Sequence, residues 1–208
     1  MLERTEEMNK HLENKVQLMP ADEKDLPLFK KELQESFTKG LIENLGDAEE
    51  GPIPSDEDIE QSFNAPGAVI YHISLNGEKV GGVVLRIDTE THRNSVDLLF
   101  ISSKSHSRGV GTLAWKAIEE YYPDTEVWEL VTPYFEKRNI HFYVNKCGFH
   151  IVEFYKQFNP DPHQSSENKH QDNISSLEEY EFLIENSSEE NKSTEDKPAV
   201  KAVPVIIT

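Results

Sequence analysis

The chain has 208 residues, and its 39 Asp and Glu against 21 Lys and Arg give a formal net charge of −18 at pH 7. This length suits one domain with tails. So acidic a surface repels phosphate groups, which argues against nucleic acid and anionic membranes as partners. A small cationic substrate is the natural complement, although the same charge also serves solubility alone.

The single cysteine and the absence of long apolar runs indicate in which compartment the protein resides. Cys147 is the only cysteine, so it forms no internal disulfide, and no pair of metal ligands surrounds it. The N-terminus has no apolar segment typical of a signal peptide. No apolar run approaches the roughly 18 residues of a membrane span. We therefore expect a cytoplasmic protein with no metal site.

The first part of the chain predicts a leader, a strand and a helix. Residues 1–14 are charged and indicate a frayed leader, and residues 16–19 suit a short strand that ends at Pro20. From Asp22 to about Leu45 apolar residues recur at steps of three or four, which predicts a helix with one apolar face. These residues are Leu26, Phe29, Leu33, Phe37 and Leu41.

The middle of the chain predicts a second helix and then antiparallel strands. Ser55 is a good N-cap for a helix over 56–63, with Asp58 where a capping-box acid belongs. The turn Asn76-Gly77 is a strong hairpin signal. The strands expected around it and after it are 68–75, 79–88 and 94–101.

The second half alternates helices with strands. Helices are expected over 109–122 and 136–146, and strands over 127–131, 149–155 and 180–184. From residue 186 onward Ser, Glu, Asn and Lys dominate, which predicts a disordered tail over 186–208.

The loop between the strand that ends at Ile101 and the helix that begins near Gly109 is the most informative local feature. Helix N-termini bind phosphate because their first N–H groups are free and the helix dipole is positive there. Gly109 and Gly111 would let the backbone approach an anion closely. The stretch predicts either a phosphate site or a simple Gly-rich turn.

Two common phosphate motifs compete for this loop. The P-loop fails because Gly111 is followed by Thr-Leu rather than by Lys and a hydroxyl residue. The dinucleotide fingerprint G-x-G-x-x-G/A matches at Gly109, Gly111 and Ala114, and Glu129 lies twenty residues after Gly109. The strands before the loop are connected by hairpins, however, whereas the dinucleotide fold needs parallel strands with crossovers.

The loop resembles the acetyl-CoA-binding motif of the GNAT acetyltransferases, in which an apolar strand end is followed by x-P-x-x-[QR]-x-x-G-x-[GA]. Counted from Ile101, Ser103 takes the place of Pro and His106 that of Gln or Arg. Gly109 and Gly111 take the two small positions. The departures at Ser103 and His106 concern side chains, whereas most contacts to the pyrophosphate in that family come from backbone N–H groups.

The order of predicted elements from about Val16 to Glu185 is also similar to that family. The resemblance implies a mixed α/β fold, with a central, twisted, mostly antiparallel sheet of six to seven strands flanked by about four helices. It places an N-acetyltransferase domain at residues 15–185 and implies acetyl-CoA as the co-substrate. The residues expected to bind it in and around the loop are Phe100, Ile101, Ser103, His106, Ser107, Arg108, Gly109, Val110, Gly111 and Thr112.

A second block, Asn139-Ile-His-Phe-Tyr-Val-Asn-Lys-Cys-Gly-Phe, resembles the family's Asn…(Phe/Leu)-Tyr-x-x-x-Gly-Phe. The resemblance implies that Asn139 supports coenzyme A and that Tyr143 protonates the leaving thiolate. A phenol of pKa near 10 suits that role. The spacing departs from the family, because Tyr143 lies five steps before Gly148 rather than four and four steps after Asn139 rather than seven. A purely structural core aromatic is the alternative for Tyr143.

The resemblance also implies a general base, which histone-type members supply as a Glu on the strand before the loop. The corresponding residue here is Ser95, which cannot take up the proton. Asp97 lies two residues later on the same strand face, and Glu129 lies on the next strand. Asp97, Glu129 and a water chain all remain candidates for the base.

Two functions remain open. The first is acetyl transfer from acetyl-CoA to a primary amine of a small, cationic acceptor. The second is a non-catalytic acyl-CoA-binding module used as a sensor or interaction domain. The expected partners are acetyl-CoA and an amine acceptor, and a homodimer is left open. The acidic residues Asp47, Glu49 and Glu50, followed by the run Asp56-Glu57-Asp58, suit either a mouth that attracts a protonated amine or a solvated loop.

Overall fold

A computed structural model of the chain describes residues 15–45, 52–102, 109–133, 136–155 and 181–187. The predicted leader at 1–14 lies outside these residues, as does the chain from 188 onward. The last described strand continues to Ser187, so the domain boundary predicted at residue 185 falls within that strand.

Within the described ranges, seven strands form a single sheet. Their bounds are β1 Val16–Pro20, β2 Ala68–Leu75, β3 Glu78–Arg86, β4 Arg93–Ile101, β5 Val127–Pro133, β6 His150–Tyr155 and β7 Glu181–Ser187. They are arranged in the order β1-β2-β3-β4-β5-β7-β6. Every neighbouring pair is antiparallel except β4 and β5, which run parallel. The predicted mixed α/β fold with a mostly antiparallel sheet is confirmed.

Four α-helices lie within the described residues: α1 Leu26–Leu45, α2 Asp56–Phe63, α3 Val110–Tyr121 and α4 Lys137–Lys146. A 3-10 turn at Glu23–Asp25 leads into α1, so the helix predicted from Asp22 begins a few residues later. Ser55 caps α2 as predicted. Its Oγ accepts a hydrogen bond from the backbone N of Asp58 at 3.1 Å and donates to the Asp58 carboxylate at 2.6 Å.

The hairpin between β2 and β3 turns at Asn76-Gly77. Both residues have positive φ, 53° and 88°, as a tight two-residue hairpin turn requires. Asn tolerates this region and Gly has no Cβ to oppose it, so the dipeptide sets the register of the two strands.

The sheet separates two hydrophobic clusters. One face packs against α3 and α4 through a cluster that includes Trp115, Ile118, Trp128, Tyr143 and Phe149. The opposite face packs against α1 and α2 through the cluster Phe29, Leu33, Phe37, Ile59, Val84, Leu98 and Phe100. We call these the α3–α4 face and the α1–α2 face.

Two adjacent glycines in β3 permit close packing, Gly82 against the Phe29 side chain of α1 and Gly81 against the neighbouring strand β4. A Cβ added at Gly82 would overlap the rings of Phe29 and Phe100. A Cβ added at Gly81 would overlap the backbone carbonyl oxygen of Phe100. These two positions in a central strand therefore have no room for a side chain.

Candidate active site

The parallel strands β4 and β5 separate along their length. Their pairing covers three residue pairs at the start of each strand and ends at Ser95 with Glu129. Beyond that point β4 continues to Ile101, paired with β3, and β5 continues to Pro133, paired with β7. The facing backbone edges of β4 and β5 are thus unpaired with each other toward their carboxyl ends. A gap opens there in the middle of the sheet.

The helix α3 begins at the open end of this gap, after the loop that follows β4. Gly109 is its N-cap residue, with φ of 68° and no side-chain cap. A Cβ added at Gly109 would meet no atom within 4 Å, so the space beside it is open. The first N–H groups of the helix have no partner within the helix itself, which suits an anion.

The predicted cofactor residues divide into described and undescribed ones. Ser103, His106, Ser107 and Arg108 lie outside the described residues. Phe100 and Ile101 end β4 and are buried on opposite faces of the sheet, while Val110, Gly111 and Thr112 form the first turn of α3. The structure thus brings the end of β4 and the start of α3 to the same edge of the gap.

Asn139 and Tyr143 lie one turn apart on the buried side of α4, and both are fully buried. The Tyr143 ring packs edge-on against Phe142 and Phe149, at 5.0 and 5.4 Å between ring centroids. Its hydroxyl has no hydrogen-bond partner among the described residues. Burial, with a smaller effect of nearby Cys147, raises the pKa of Tyr143 well above the usual phenol value. The hydroxyl therefore stays protonated, able to donate but not to act as a base.

Thr132 is a further candidate that sequence reasoning missed. It lies on β5 beyond the last pairing with β4, is fully buried, and its Oγ1 has no hydrogen-bond partner among the described residues. Strand alternation places it with Trp128 and Leu130 on the α3–α4 face, the side from which Tyr143 also packs. A β-branched residue in a strand gives no functional signal in the sequence.

Asp97 sits at an irregularity in β4 where the pairing with β3 shifts register. It is buried, and Arg86 donates to both of its carboxylate oxygens, with Nε at 3.0 and 3.1 Å and one terminal nitrogen at 2.8 Å. Ser95 donates a further bond at 3.0 Å, which confirms that Ser95 and Asp97 share a face. Burial raises the pKa of Asp97, and the contacts from Arg86 and Ser95 oppose that rise.

Glu129 lies at the closed end of the gap, on the α1–α2 face. Its carboxylate forms an ion pair with Arg93 of β4, and the same Arg93 contacts Glu185 of β7 at 2.9 Å. Its side chain keeps 18% exposure, whereas that of Asp97 keeps 1%. One guanidinium therefore serves two carboxylates, and neither arginine partner was foreseen, because both pairs join residues on different strands.

The acidic residues expected at an acceptor mouth are only partly described. Asp47, Glu49 and Glu50 lie outside the described residues. Asp56 accepts a bond from Gln34 at 2.8 Å and pairs with Lys30 at 3.4 Å, and Asp58 belongs to the cap of α2. These acids thus have local structural partners.

Other site chemistry is limited. Across the described ranges, no three His, Cys, Asp or Glu side chains converge in a way that would hold a metal ion. None of the described helices has both the length and the apolar character needed to span a membrane. Cys147 is a buried free thiol whose pKa is raised by burial, so it stays protonated.

Comparison with known proteins relates this geometry to acetyl transfer. Residues 28–149 match the family model described as Acetyltransferase (GNAT) family. The uncharacterized protein YrkN of Bacillus subtilis (strain 168) is 59% identical over 160 residues, which are 77% of this chain and 86% of that protein.

Two solved structures share the fold. One is a GNAT family acetyltransferase from Elizabethkingia anophelis with acetyl-CoA bound (TM-score 0.55, 16% identity, 83% of this chain and 97% of that one). The other is spermidine N-acetyltransferase from Vibrio cholerae in complex with CoA and spermine (TM-score 0.57, 11% identity, 83% and 95%).

Proposed function

We propose, from the premise that this chain belongs to the GNAT acetyltransferase family, that it transfers the acetyl group of acetyl-CoA to a primary amine. The observation that carries the proposal is the gap between β4 and β5 with the N-terminus of α3 at its open end. Family membership supports acyl transfer in general. The use of acetyl-CoA and the choice of an amine are the parts that experiment must test.

The gap supports the binding of an extended acyl-CoA arm. That arm carries amide groups, and the unpaired edges of β4 and β5 offer N–H and C=O groups to them, as a sheet edge does to an added strand. The pyrophosphate would then lie at the first turn of α3, where Gly109 leaves open space. The thioester would lie within the gap.

Tyr143 is the proposed acid. The thiolate that leaves the tetrahedral intermediate needs a proton, and the Tyr143 hydroxyl is buried, protonated and without a partner in the described residues. An unsatisfied buried donor is costly unless a ligand completes it. Thr132 is proposed to donate to the same ligand from β5, because its hydroxyl is also buried and without a partner in the described residues.

Glu129 is the proposed base rather than Asp97. Asp97 is enclosed and held by Arg86 through both carboxylate oxygens, so taking up a proton would break that pair. Glu129 keeps more exposure, and it shares Arg93 with a second carboxylate that can hold the guanidinium in its place. Acid and base then lie on opposite faces of the sheet, on either side of the gap.

The decisive experiment measures free thiol released from acetyl-CoA by the full chain across a panel of primary amines. We expect release with at least one amine, and none with tertiary amines of similar size. Acetyl-CoA alone should raise the melting temperature, because a ligand that binds only the native state stabilises it. NADH should leave the melting temperature unchanged.

A variant tests whether the loop and the first turn of α3 bind acetyl-CoA, as distinct from a general effect of substitution on the protein. Gly111→Val places a branched side chain in the first turn of α3 and should remove the stabilisation by acetyl-CoA while the protein stays folded. Thr125→Val, far from α3's first turn, is the control and should keep it. Normal binding by Gly111→Val would mean that the loop is only a turn.

A non-catalytic acyl-CoA-binding module is the second candidate. The observation that favours it is that both base candidates, Asp97 and Glu129, already engage arginines. This alternative predicts stabilisation by acetyl-CoA with no thiol release for any amine.

A further inference from the structure

A cavity lies at the other end of the β4–β5 pair, away from the gap. Its volume is about 170 Å³. It is lined by residues from the end of α3, the connection between α3 and β5, the start of β5 and the end of β7. Trp128, one of the lining residues, precedes Thr132 by four positions, so the cavity lies roughly 13 Å along β5 from the open end of the gap. It plays no part in the proposed transfer reaction.

Two aromatic side chains form a corner of this cavity. Trp128 is buried, and Tyr122 stands nearly perpendicular to it, with ring centroids 6.0 Å apart and an angle of 73° between planes. The Tyr122 hydroxyl is held by that of Tyr71 at 2.6 Å, which fixes the orientation of the ring. Both rings line the cavity, so a group held in it would lie against aromatic side chains.

The charged groups that line the cavity are carboxylates. Glu119 and Glu126 both line it, together with the polar side chains of Thr125 and Asn186, and no Lys or Arg of the described chain does. The Asn186 amide donates to Glu119 at 3.3 Å and to the Cys147 carbonyl at 3.0 Å, which fixes one wall. Lys116 is the nearby cation whose charge acts on Glu119, and it lies outside the lining.

We infer that this cavity is a binding site for a small organic ammonium ion. Aromatic faces attract a cation through their quadrupole, and carboxylates supply the opposite charge, so the combination selects a cation that also has apolar substituents. A simple metal ion would bind the carboxylates without contacting the aromatic rings. The cavity is smaller than the roughly 300–1,000 Å³ of pockets for drug-sized ligands, so it suits a compact head group and excludes a coenzyme.

Choline is the appropriate probe because it has no N–H and therefore cannot be N-acetylated. Its binding is thus independent of the proposed transfer reaction. The matched neutral probe is 3,3-dimethyl-1-butanol, in which carbon replaces nitrogen at nearly the same shape. Each is titrated into the full isotope-labelled chain, and the indole N–H signal of Trp128 and the backbone amide signals of Thr125 and Asn186 are followed.

We expect saturable shifts of these signals with choline, and binding of the neutral alcohol weaker by about tenfold. Glu119→Gln and Glu126→Gln should each weaken choline binding about threefold to tenfold. Glu120→Gln removes the same charge from an exposed position next to the lining, and it should leave the affinity unchanged. Tyr122→Leu should remove the preference for choline over the alcohol, with folding checked by the melting temperature.

Three outcomes would overturn the inference. The first is the absence of saturable shifts with choline. The second is equal affinity for choline and the neutral alcohol, which would show that the cavity binds apolar groups without recognising the positive charge. The third is an equal effect of Glu119→Gln and Glu120→Gln on choline binding. That result would mean that the overall negative charge of the chain, and not the cavity, attracts choline.

Discussion

The two ends of the β4–β5 pair differ in how completely their polar groups are satisfied. At the closed end the strands pair, Arg93 joins Glu129 and Glu185, and Asn94 donates to Thr125 at 2.7 Å. At the open end the facing strand edges part, and the hydroxyl of Thr132 has no partner in the described residues. The hydroxyl of Tyr143, on the α3–α4 face, also has none there. The polar groups at the closed end thus have their partners within the folded chain, whereas these two hydroxyls have none in the described residues.

This difference teaches where to look for chemistry in such a sheet. Buried polar groups in native proteins are almost always hydrogen-bonded, so unsatisfied ones need an explanation. A ligand that completes them explains both the cost of keeping them and the gap between the strands. Charged residues at the closed end, although more conspicuous in the sequence, also hold strands together, and among them only Glu129 is proposed to take part in the reaction.

The largest expected effect concerns Tyr143, on the α3–α4 face. Tyr143→Phe should lower turnover by about 10²–10⁴-fold, since it removes the proposed acid. The melting temperature and acetyl-CoA affinity should barely change, because the hydroxyl that is lost has no partner among the described residues. Steady-state kinetics and thermal unfolding on this variant test both statements.

Tyr122→Phe is the matched control for Tyr143→Phe. It removes a hydroxyl that is bonded to Tyr71, so it should cost about 1 kcal/mol of stability and spare turnover. Wild-type turnover in Tyr143→Phe would remove Tyr143 from the mechanism.

The next effect concerns the buried ion pair of Arg86 and Asp97. Arg86→Met leaves the Asp97 carboxylate buried without its cation, which should lower the free energy of unfolding by about 3 kcal/mol. Arg138→Met, whose pair with Glu43 is largely exposed, should cost less than about 1 kcal/mol. Denaturant unfolding measures both, and equal losses would contradict the structural role given to Arg86.

The smallest effect of the three compares the two carboxylates on Arg93. Glu129→Gln should lower turnover by about 10²-fold if Glu129 is the base. Glu185→Gln should leave turnover near that of the wild type. Each should change stability by less than about 1 kcal/mol, because the other carboxylate still holds the guanidinium. A similar loss of turnover in both variants would assign Glu129 to positioning alone.

Most of the architecture could be predicted from local sequence signals. The N-cap at Ser55 and the turn at Asn76-Gly77 are confirmed, and all seven strands and four helices lie close to their predicted ranges. These signals are local because capping and tight turns depend on neighbouring residues. The family resemblance, carried by Gly109, Gly111 and the block around Tyr143, is also confirmed.

The detailed site could not be predicted, because it depends on contacts between distant residues. The separation of β4 from β5 is set by how each strand pairs with its other neighbour, and β7 lies between β5 and β6 although it follows both in sequence. The partners of Asp97 and Glu129 are likewise on other strands. The roles assigned to Asp97, Glu129, Tyr143 and Asn139 stay predictions.

The absence of a side chain at Gly82 has a consequence for how this protein can evolve. Because the rings of Phe29 and Phe100 occupy the place of a Cβ at Gly82, even Gly82→Ala would displace one or both rings. Phe100 lies near the end of β4, at one edge of the gap, so such a shift would also alter that edge. Selection for a different acceptor would therefore have to change side chains of the helices, such as Phe29 and Phe63, while position 82 remains glycine.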